Sequence, residues 1–518
     1  MVSQPKYTQA ISQQPAISRI NTVMEQELAT LADPNKPWGQ GEVCNSLAAD
    51  APGADHLAPL TMQERTRRYL EQGENLLYCT SPQSLVSWYF YAHASDSGQT
   101  PKSFHLWTCL SMLAALCQDK FFYQKFRGVH TVPNLYVILV GPSGLGKDTA
   151  IGVGLDYIRP YRDLTRTFAG RLTHASFTDF LCKPRGALSV NVRRSGMAGE
   201  DLDSNFPHSD SAVAWVVTPE LAQSISAGTK AAELIKLMTS VYTATSREFE
   251  EYTRQWGYHL AVSPCVNWLA GTTQEWLLKS IGQADIKGGF ASRVVWVIED
   301  YMLDKLCGHP VYPGNFEEVK KYIEWRLFQI AMDPGGEIKL SIAARVELDT
   351  WFETWRASAI LEGSEGDKNL LPLFVRGHDL AVKLSMLLRI AAMGAEEGYD
   401  VKNPNRLQIQ QPEVYTACRW VEQLLLIHYP KLIRSANMSP EDGNAQQVFI
   451  QILDGMSKHG QLPVRKTELR QMAFRRGIKA KMIYDVESLL YQCQAIIIER
   501  NIAGDEYFRW VGKLEDWV

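Results

Sequence analysis

The residues whose types and spacing suggest chemistry most clearly form a glycine-rich loop that ends in a lysine, GPSGLGKDT. The loop follows the pattern G-x-x-x-x-G-K, in which backbone N–H groups surround phosphate oxygens and the lysine reaches the β- and γ-phosphates. The alternative is a glycine-rich turn with a lysine by chance, but a strand pattern before the loop and a helix pattern after it favour ATP binding. The candidate nucleotide-binding residues are Gly141, Pro142, Ser143, Gly144, Leu145, Gly146, Lys147, Asp148 and Thr149.

Asp148 departs from this pattern, in which a Ser or Thr follows the lysine and its hydroxyl ligates Mg²⁺. Thr149 lies one residue further on, about 100° around a helix, and cannot take over that position. We therefore expect the metal chemistry of this loop, if it is active, to differ from the usual one.

A second departure follows the apolar run 212–217. At this position, P-loop ATPases carry an Asp that orients Mg²⁺ and then a Glu that activates water. This chain has Pro219 in place of the Asp and keeps Glu220 as a candidate general base. We hypothesise that the metal carboxylate has moved to Asp148, since a carboxylate is a hard oxygen ligand that suits Mg²⁺. The alternative is that the two departures have abolished hydrolysis.

Three more side chains are candidates for contacts with the γ-phosphate. Thr272 follows the apolar run 265–270. In P-loop ATPases, a polar residue at the end of the strand next to the one that precedes the catalytic Glu senses the γ-phosphate; the alternative is capping of the strand end. Arg293 precedes another apolar run and can stabilise transition-state charge on a neighbouring subunit's nucleotide, although by itself it could be a surface arginine. Arg376 begins a long apolar helix and is a candidate second sensor.

Two segments have the composition of nucleic-acid contacts. In VRKTELRQMAFRRGIKAK, seven basic residues accompany a single acid in a chain of net charge −4. The basic residues are Arg465, Lys466, Arg470, Arg475, Arg476, Lys479 and Lys481; the alternatives are a solvated helix face or a protein-binding wing. In a predicted hairpin, the tip residues Arg254 and Trp256 suit a pore loop that grips a single strand, although Trp256 could equally be a core residue.

The elements that must position these residues follow from apolar patterning. Short continuous apolar runs predict strands buried on both faces, which is typical of a parallel sheet in an α/β protein. These runs are 134–140, 212–217, 265–270 and 293–300. Helical spacing of apolar residues predicts helices before the first run, as in SFHLWTCLSMLAALCQDKFF, and in most of the chain after the last. The C-terminal segment predicts three helices and a strand–turn–strand wing, the winged-helix arrangement.

We predict five units along the chain: a disordered leader, a helical N-terminal domain, a P-loop ATPase core, a helical lid and a winged-helix domain. Their bounds are 1–60, 61–130, 131–303, 304–433 and 445–518. The leader is rich in Gln, Ser, Ala, Pro and Asp, a composition that favours disorder.

Composition narrows the class of protein. The chain is 45% hydrophobic and 21% charged, as is usual for soluble globular proteins. Its nine cysteines form no C-x-x-C pair and no zinc-like cluster, which indicates a reducing compartment. No apolar run reaches the ~18 residues of a membrane helix and no signal pattern is visible, so we expect a cytoplasmic protein without membrane contact.

The chain resembles the P-loop ATPases of phages, prophages and other mobile elements, of the helicase or primase-associated kind. The segments that carry this resemblance are FHLWTCLSMLAALC, PNLYVILVGPSGLGK, VVTPELAQSIS, CVNWLAGTTQEWL, GGFASRVVWVIED and RGHDLAVKLSMLLRIAA. Their order is also similar to that of minichromosome-maintenance AAA+ helicases, with matches at Ser292-Arg293, at Arg376 and at the hairpin 248–262. The chain departs from that family at Asp148, Pro219 and Thr272, the last of which is Asn there.

The resemblance implies an AAA+ core, with a RecA-like core as the alternative, in a ring-shaped and hexameric ATPase that acts on DNA with ATP and Mg²⁺. The leading hypothesis is an ATP-driven DNA translocase or helicase that serves replication of a mobile element. The rival is an ATP-gated DNA-binding scaffold or loader that hydrolyses slowly or not at all and binds a replication partner through residues 1–60. A defence-system ATPase is a third alternative.

Overall fold

The structure is a computed structural model of the chain. It describes residues 77, 80–81, 83–94, 100–126, 129–169, 172–182, 212–221, 229–245, 248–253, 257–274, 276–277, 289–299, 312–365, 371–393, 402–429, 431–432, 440–457, 462–476, 478, 482–484, 486–487, 490, 496–501 and 505–510. The predicted leader, 1–60, lies outside these ranges, as do Arg254, Trp256, Lys479 and Lys481.

The described helices and strands begin before the glycine loop and continue to the C-terminal region. Up to the first long gap they are α1 (Leu85–Ala94), α2 (Lys102–Cys117), β1 (Phe121–Phe126), β2 (Val129–Thr131), β3 (Tyr136–Val140), α3 (Lys147–Ile158), α4 (Arg162–Thr165), β4 (Thr167–Phe168) and α5 (His174–Cys182). They continue with β5 (Val213–Thr218), α6 (Thr229–Thr243), β6 (Glu248–Thr253), β7 (Gly257–Val262), β8 (Cys265–Thr272) and β9 (Val294–Ile298).

The remaining elements are mostly helical. They are α7 (Phe316–Met332), β10 (Gly336–Glu337), β11 (Lys339–Leu340), α8 (Ile342–Glu365), α9 (Leu371–Ala392), β12 (Gln408–Ile409) and α10 (Gln411–Gln423), which continues as a π-helical turn, Leu424–His428. After a further gap come α11 (Pro440–Ser457), β13 (Val464–Arg465), α12 (Lys466–Arg475), β14 (Ile496–Arg500) and β15 (Glu506–Trp510).

A parallel sheet lies at the centre of the fold. Five of the described strands form it, in the order β4–β5–β8–β3–β9, and every residue of its four longer strands is buried. Their continuous apolar sequences, which include the fully buried Trp215, Trp268 and Trp296, suit a sheet covered by helices. The predicted α/β class and the four predicted strands are confirmed; the edge strand β4, only two residues long, was not predicted.

The region predicted as a separate helical domain, 61–130, packs directly against the sheet. All but the first residue of α2 are buried, and a Cβ on Gly154 of α3 would come within 2.6 Å of Thr108 on α2. The prediction of helix through to the end of this region was wrong, because α2 ends at Cys117 and Gln118 has a left-handed backbone (φ 52°). The strands β1 and β2 then form a sheet with β10. That pairing comes from a distant part of the chain and leaves no local signal.

The helical region predicted as a lid, 304–433, is tied to the sheet by buried hydrogen bonds. The backbone N–H of Ile298 in β9 donates to Nδ1 of His428 at 3.0 Å, and the hydroxyl of Tyr429 donates to the carbonyl of Val294 at 2.7 Å. Residues of α7 to α10 share one hydrophobic core with the sheet. The short strands β10, β11 and β12 were not predicted, since two residues carry no readable pattern.

The C-terminal elements, from α11 to β15, have a hydrophobic core of their own. Phe449, Leu453, Leu469 and Phe508 are among its buried members. The strands form an antiparallel sheet in the order β13–β15–β14, and residues 482–484, 486–487 and 490 are helical. The predicted strand pair and helices are present in this segment, although α11 begins at Pro440, before the predicted first residue of the unit, 445.

The predicted hairpin at 248–262 is confirmed as the antiparallel pair β6–β7, with Glu248 opposite Val262 and Thr253 opposite Gly257. Its tip, with Arg254 and Trp256, lies outside the described residues. Across the part of the chain that is described, no helix is long and apolar enough to cross a membrane.

Two histidines are buried between α1, α2 and α3. Nε2 of His93 lies 2.9 Å from the hydroxyl of Tyr157, and His105 stacks beside His93 with no hydrogen-bond partner for either ring nitrogen among the described residues. Burial lowers the pKa of His93 to about 4 and that of His105 to about 3, with smaller contributions from Lys320 and from His93 respectively. Both rings are therefore neutral in the folded protein at neutral pH.

We predict that the protein loses stability as the pH falls below 6.5. The unfolded histidines bind protons near pH 6.5, whereas the folded ones bind them only near pH 4 and pH 3, so each can cost up to about 1.4 kcal/mol per pH unit in that window. Denaturant unfolding at several pH values measures the free energy of unfolding. In His105→Phe, this free energy should depend less on pH. His130→Phe, at an exposed position, is the control; equal pH slopes in the two variants would contradict the assignment.

Candidate nucleotide-binding site

The carboxyl ends of the parallel strands bring the predicted nucleotide-binding residues to one edge of the sheet. β3 ends at Val140, directly before the glycine loop, and Val140 pairs with Thr272 at the end of β8. The backbone N–H of Gly141 donates to the carbonyl of Thr272 at 3.2 Å. Glu220 follows β5, which pairs with the other side of β8. The loop, the candidate sensor and the candidate general base thus meet at the same edge.

The glycines of the loop are required by its backbone and by close neighbours. Gly144 and Gly146 have left-handed backbones (φ 84° and 78°), which side chains with a Cβ rarely adopt. A Cβ on Gly146 would also lie 2.1 Å from the hydroxyl oxygen of Thr100. The loop therefore has the strand–loop–helix geometry that the motif predicts, with α3 beginning at Lys147.

Lys147 is folded back onto its own loop. Its Nζ donates to the carbonyls of Gly141 and Pro142, both at 2.7 Å, and the residue is only 7% exposed. Burial lowers the pKa of Lys147, while Asp148 and Glu220 act in the opposite direction. The ammonium group and these two carboxylates are thus near enough to interact electrostatically.

Thr272 has the most informative side chain at this edge. The residue is fully buried, and its hydroxyl has no hydrogen-bond partner among the described residues. Gly271 lies directly before it, and a Cβ there would be 2.5 Å from the carbonyl oxygen of Pro219, which follows β5. The absence of a side chain therefore lets β8 approach the end of β5 closely. A buried hydroxyl without a partner is unusual in a folded protein, and this one lies on the residue whose carbonyl binds the N–H of Gly141.

The first turn of α2 also contributes to this edge, which the sequence did not predict. The hydroxyl of Ser103 donates to Oε1 of Glu299 at 2.5 Å, and the carbonyl of Glu299 lies beside Gly141. Thr100 lies against Gly146. Thr100 and Ser103 are far from the loop along the chain and belong to none of the motifs given above, so only their packing connects them with it.

The residues at this edge are suited to a Mg²⁺ ion that is bound together with phosphate oxygens. Among the described residues, no group of three or more His, Cys, Asp and Glu side chains is arranged to hold a metal. Mg²⁺ is commonly held by one or two carboxylates together with phosphate oxygens and water, which needs no such group. Asp148 is exposed in the first turn of α3 and Glu220 is half-buried after β5, so both are available to a metal bound with phosphates. The helix N-terminus also favours an acid at Asp148 for electrostatic reasons alone.

Arg293 and Arg376 lie at the opposite end of the parallel strands, where the strands begin. We call this end the amino edge and the end with the glycine loop the carboxyl edge. Val294 pairs with Tyr136, the first residue of β3, so Arg293 is separated from the glycine loop by the whole strand, about 16 Å. Both arginines line a pocket of about 170 Å³ together with Lys125 and Lys383. Arg376 is thus beside Arg293 and away from the loop of its own chain.

The two arginines at the amino edge carry charge that is not balanced within the described residues. Burial, followed by the nearby Arg376, lowers the pKa of Arg293, and its Nε is buried without a hydrogen-bond partner. The acid in the pocket, Asp379, is paired with Lys125 at 2.5 Å. A pocket with two neighbouring guanidinium groups and no acid paired with them is suited to an anion.

The predicted basic stretch of the C-terminal region is largely neutralised by the chain itself. Arg465 pairs with Asp505 and Lys466 with Glu506, both at 2.7 Å, and Arg470 forms two hydrogen bonds with Glu487. Arg475 and Arg476 are exposed and have no ion pair among the described residues. The sequence could not show this, because the acids lie at least 17 positions away along the chain.

Comparison with known proteins adds no assignment to this geometry: no protein-family model matches the chain, and no curated protein matches it significantly.

We predict that Thr272→Val leaves the ligand-free protein as stable as the wild type, or more stable by up to about 1 kcal/mol, because the hydroxyl it removes has no partner. Thr218→Val is the matched control on the neighbouring strand. Its hydroxyl accepts a hydrogen bond from Nε1 of Trp268 at 3.2 Å, and its loss should cost about 1–3 kcal/mol. Denaturant unfolding measures both, and equal destabilisation would show that Thr272 is already satisfied.

Proposed function

We propose that this protein is an ATP-binding P-loop ATPase that works as an oligomer on DNA. The observation that carries the proposal is the edge of the sheet at which Lys147, Glu220 and Thr272 come together around a left-handed glycine loop. Backbone N–H groups of the loop bind the phosphates, and Lys147 exchanges the loop carbonyls for phosphate oxygens. Glu220 activates the attacking water, and the hydroxyl of Thr272 contacts the γ-phosphate.

Asp148 supplies the carboxylate ligand of Mg²⁺ in this proposal. The support for this role is that Pro219, directly after β5, has no side-chain oxygen, whereas Asp148 is exposed next to Lys147. The metal would neutralise charge on the transferred phosphoryl group, as it does in other phosphoryl-transfer sites.

An AAA+ type of core is the finer fold that we propose. The strand order supports it, because β8, with the candidate sensor, lies between the strand of the glycine loop and the strand that precedes Glu220. The helices α7 to α10 correspond to the lid, and the elements from α11 to β15 to a winged helix. The hairpin β6–β7 precedes the sensor strand, where a DNA-moving hairpin is expected from the resemblance stated above.

The positions of the charged side chains support the proposed oligomer. The phosphate-binding loop is at one edge of the sheet and the pocket with Arg293 and Arg376 at the other, so one chain cannot bring both to the same nucleotide. In a ring, the arginine edge of one subunit faces the nucleotide of the next and stabilises charge in the transition state. A hexameric DNA translocase or helicase is the activity that we infer.

We predict Mg²⁺-dependent ATP hydrolysis that depends on both carboxylates. Glu220→Gln should bind ATP normally and hydrolyse it about 100-fold or more slowly, because it removes the general base. Asp148→Ala should lose Mg²⁺-dependent affinity as well as rate. Glu233→Gln, which changes an exposed glutamate on α6, is the control.

The outcomes of this experiment separate the candidate functions. A wild-type protein that binds ATP and assembles on DNA without hydrolysis would support the ATP-gated scaffold instead, an alternative favoured by the changes at Asp148 and Pro219. Hydrolysis by Asp148→Ala at the wild-type rate would rule out its role as a metal ligand.

A mixing experiment tests the arrangement between subunits. Lys147→Ala and Arg293→Ala should each be inactive alone, but mixing the two should restore part of the ATPase activity. Some interfaces then combine an intact loop from one variant with an intact arginine from the other. Arg159→Ala, at an exposed arginine, should not alter activity. A protein that stays monomeric with ATP and DNA, or a mixture without activity, would contradict the proposal.

A further inference from the structure

A groove in the C-terminal elements exposes aromatic side chains beside basic ones. It has a volume of about 360 Å³ and lies between α12 and the helical residues 482–484; its lining comprises Arg470, Gln471, Phe474, Arg475, Ile483 and Tyr484. Phe474 is 65% exposed and Tyr484 is 57% exposed, although the core of this unit lies directly beneath them. Large exposed aromatic side chains that line one groove indicate a binding surface.

The groove includes a basic residue that is not paired with an acid among the described residues. Three of the five described basic residues of the stretch are paired with acids of the same unit, as given above. Of the two without an ion pair among the described residues, Arg475 lines the groove beside Phe474, whereas Arg476 is not part of the lining. The surface therefore offers uncompensated positive charge next to exposed aromatic faces.

Tyr484 is held in place before any ligand binds. The guanidinium carbon of Arg470 lies 4.2 Å from the centre of its ring, and Glu487 fixes that guanidinium through both carboxylate oxygens. A ring already ordered in the free protein loses little conformational freedom on binding. This contact gives Arg470 a positioning role beside the nucleic-acid contact predicted from the sequence.

We propose that this groove binds single-stranded nucleic acid, with bases stacked on Phe474 and Tyr484 and phosphates next to Arg475. This proposal rests on the proposed function on DNA, and it specifies that the C-terminal unit binds the single-stranded form. Aromatic faces bind bases whose faces are free, as in a single strand, and such stacking tolerates any base. Duplex DNA is read by polar side chains at base edges, and exposed aromatic rings are poorly suited to that task.

The test is binding of a fluorescent oligothymidine strand and of a blunt duplex to the full-length protein without nucleotide, measured by anisotropy. The wild type should prefer the single strand. Phe474→Ala and Phe474→Leu should each weaken single-strand binding about tenfold or more, because both remove the ring. Arg475→Gln should reduce the salt dependence of binding by about one phosphate contact. Tyr484→Phe, which keeps the ring, should bind as the wild type does.

Met472→Ala is the matched control. Met472 is also exposed on α12, but it lies two residues before Phe474, about 200° around the helix, and outside the groove. Binding unchanged in Phe474→Ala, or equal affinity for duplex and single strand, would overturn the proposal. Loss in Phe474→Ala but not in Phe474→Leu would indicate an apolar peptide as the ligand instead.

The ATPase proposal fails or stands on separate evidence. If the wild type binds no ATP while strand binding still depends on Phe474, only the ATPase is contradicted. If it hydrolyses ATP while Phe474 is irrelevant, only the groove is contradicted.

Discussion

The position of β8 between β3 and β5 is the constraint on which the candidate site depends. Parallel pairing places the ends of all three strands at one edge, so a loop, a hydroxyl and a carboxylate from distant parts of the chain become neighbours. Close approach at that edge requires Gly271, since any side chain there would meet the carbonyl of Pro219. A helix that is almost wholly buried, α2, packs against the loop with Phe104 beside Gly141, and Thr100, just before this helix, lies against Gly146.

The same sheet separates two sets of charge that are incomplete on their own. At the carboxyl edge, one ammonium group lies near two carboxylates and is partly desolvated. At the amino edge, two guanidinium groups lie side by side and repel each other. Each set is suited to a polyphosphate, and a rigid strand keeps them apart within one chain. In the oligomer that we propose, a second copy of the chain would bring the two sets together.

The C-terminal unit shows how a tertiary structure changes the meaning of a charge pattern. The acids Glu487, Asp505 and Glu506 pair with three of its basic residues. What remains at the groove is smaller and chemically different, because Arg475 borders exposed aromatic rings.

The sequence by itself determined the local features of this protein. Continuous apolar runs fixed the buried strands, and the glycine–lysine pattern determined the loop between β3 and α3, because each depends on residues adjacent along the chain. It also placed Glu220, Thr272 and Arg293 at strand ends. Only the tertiary structure decided which strand ends are neighbours, that the hydroxyl of Thr272 has no partner, that Arg376 lies beside Arg293, and which basic residues are already paired. Those facts depend on contacts between segments far apart in sequence, whose geometry is set by packing and not by local pattern.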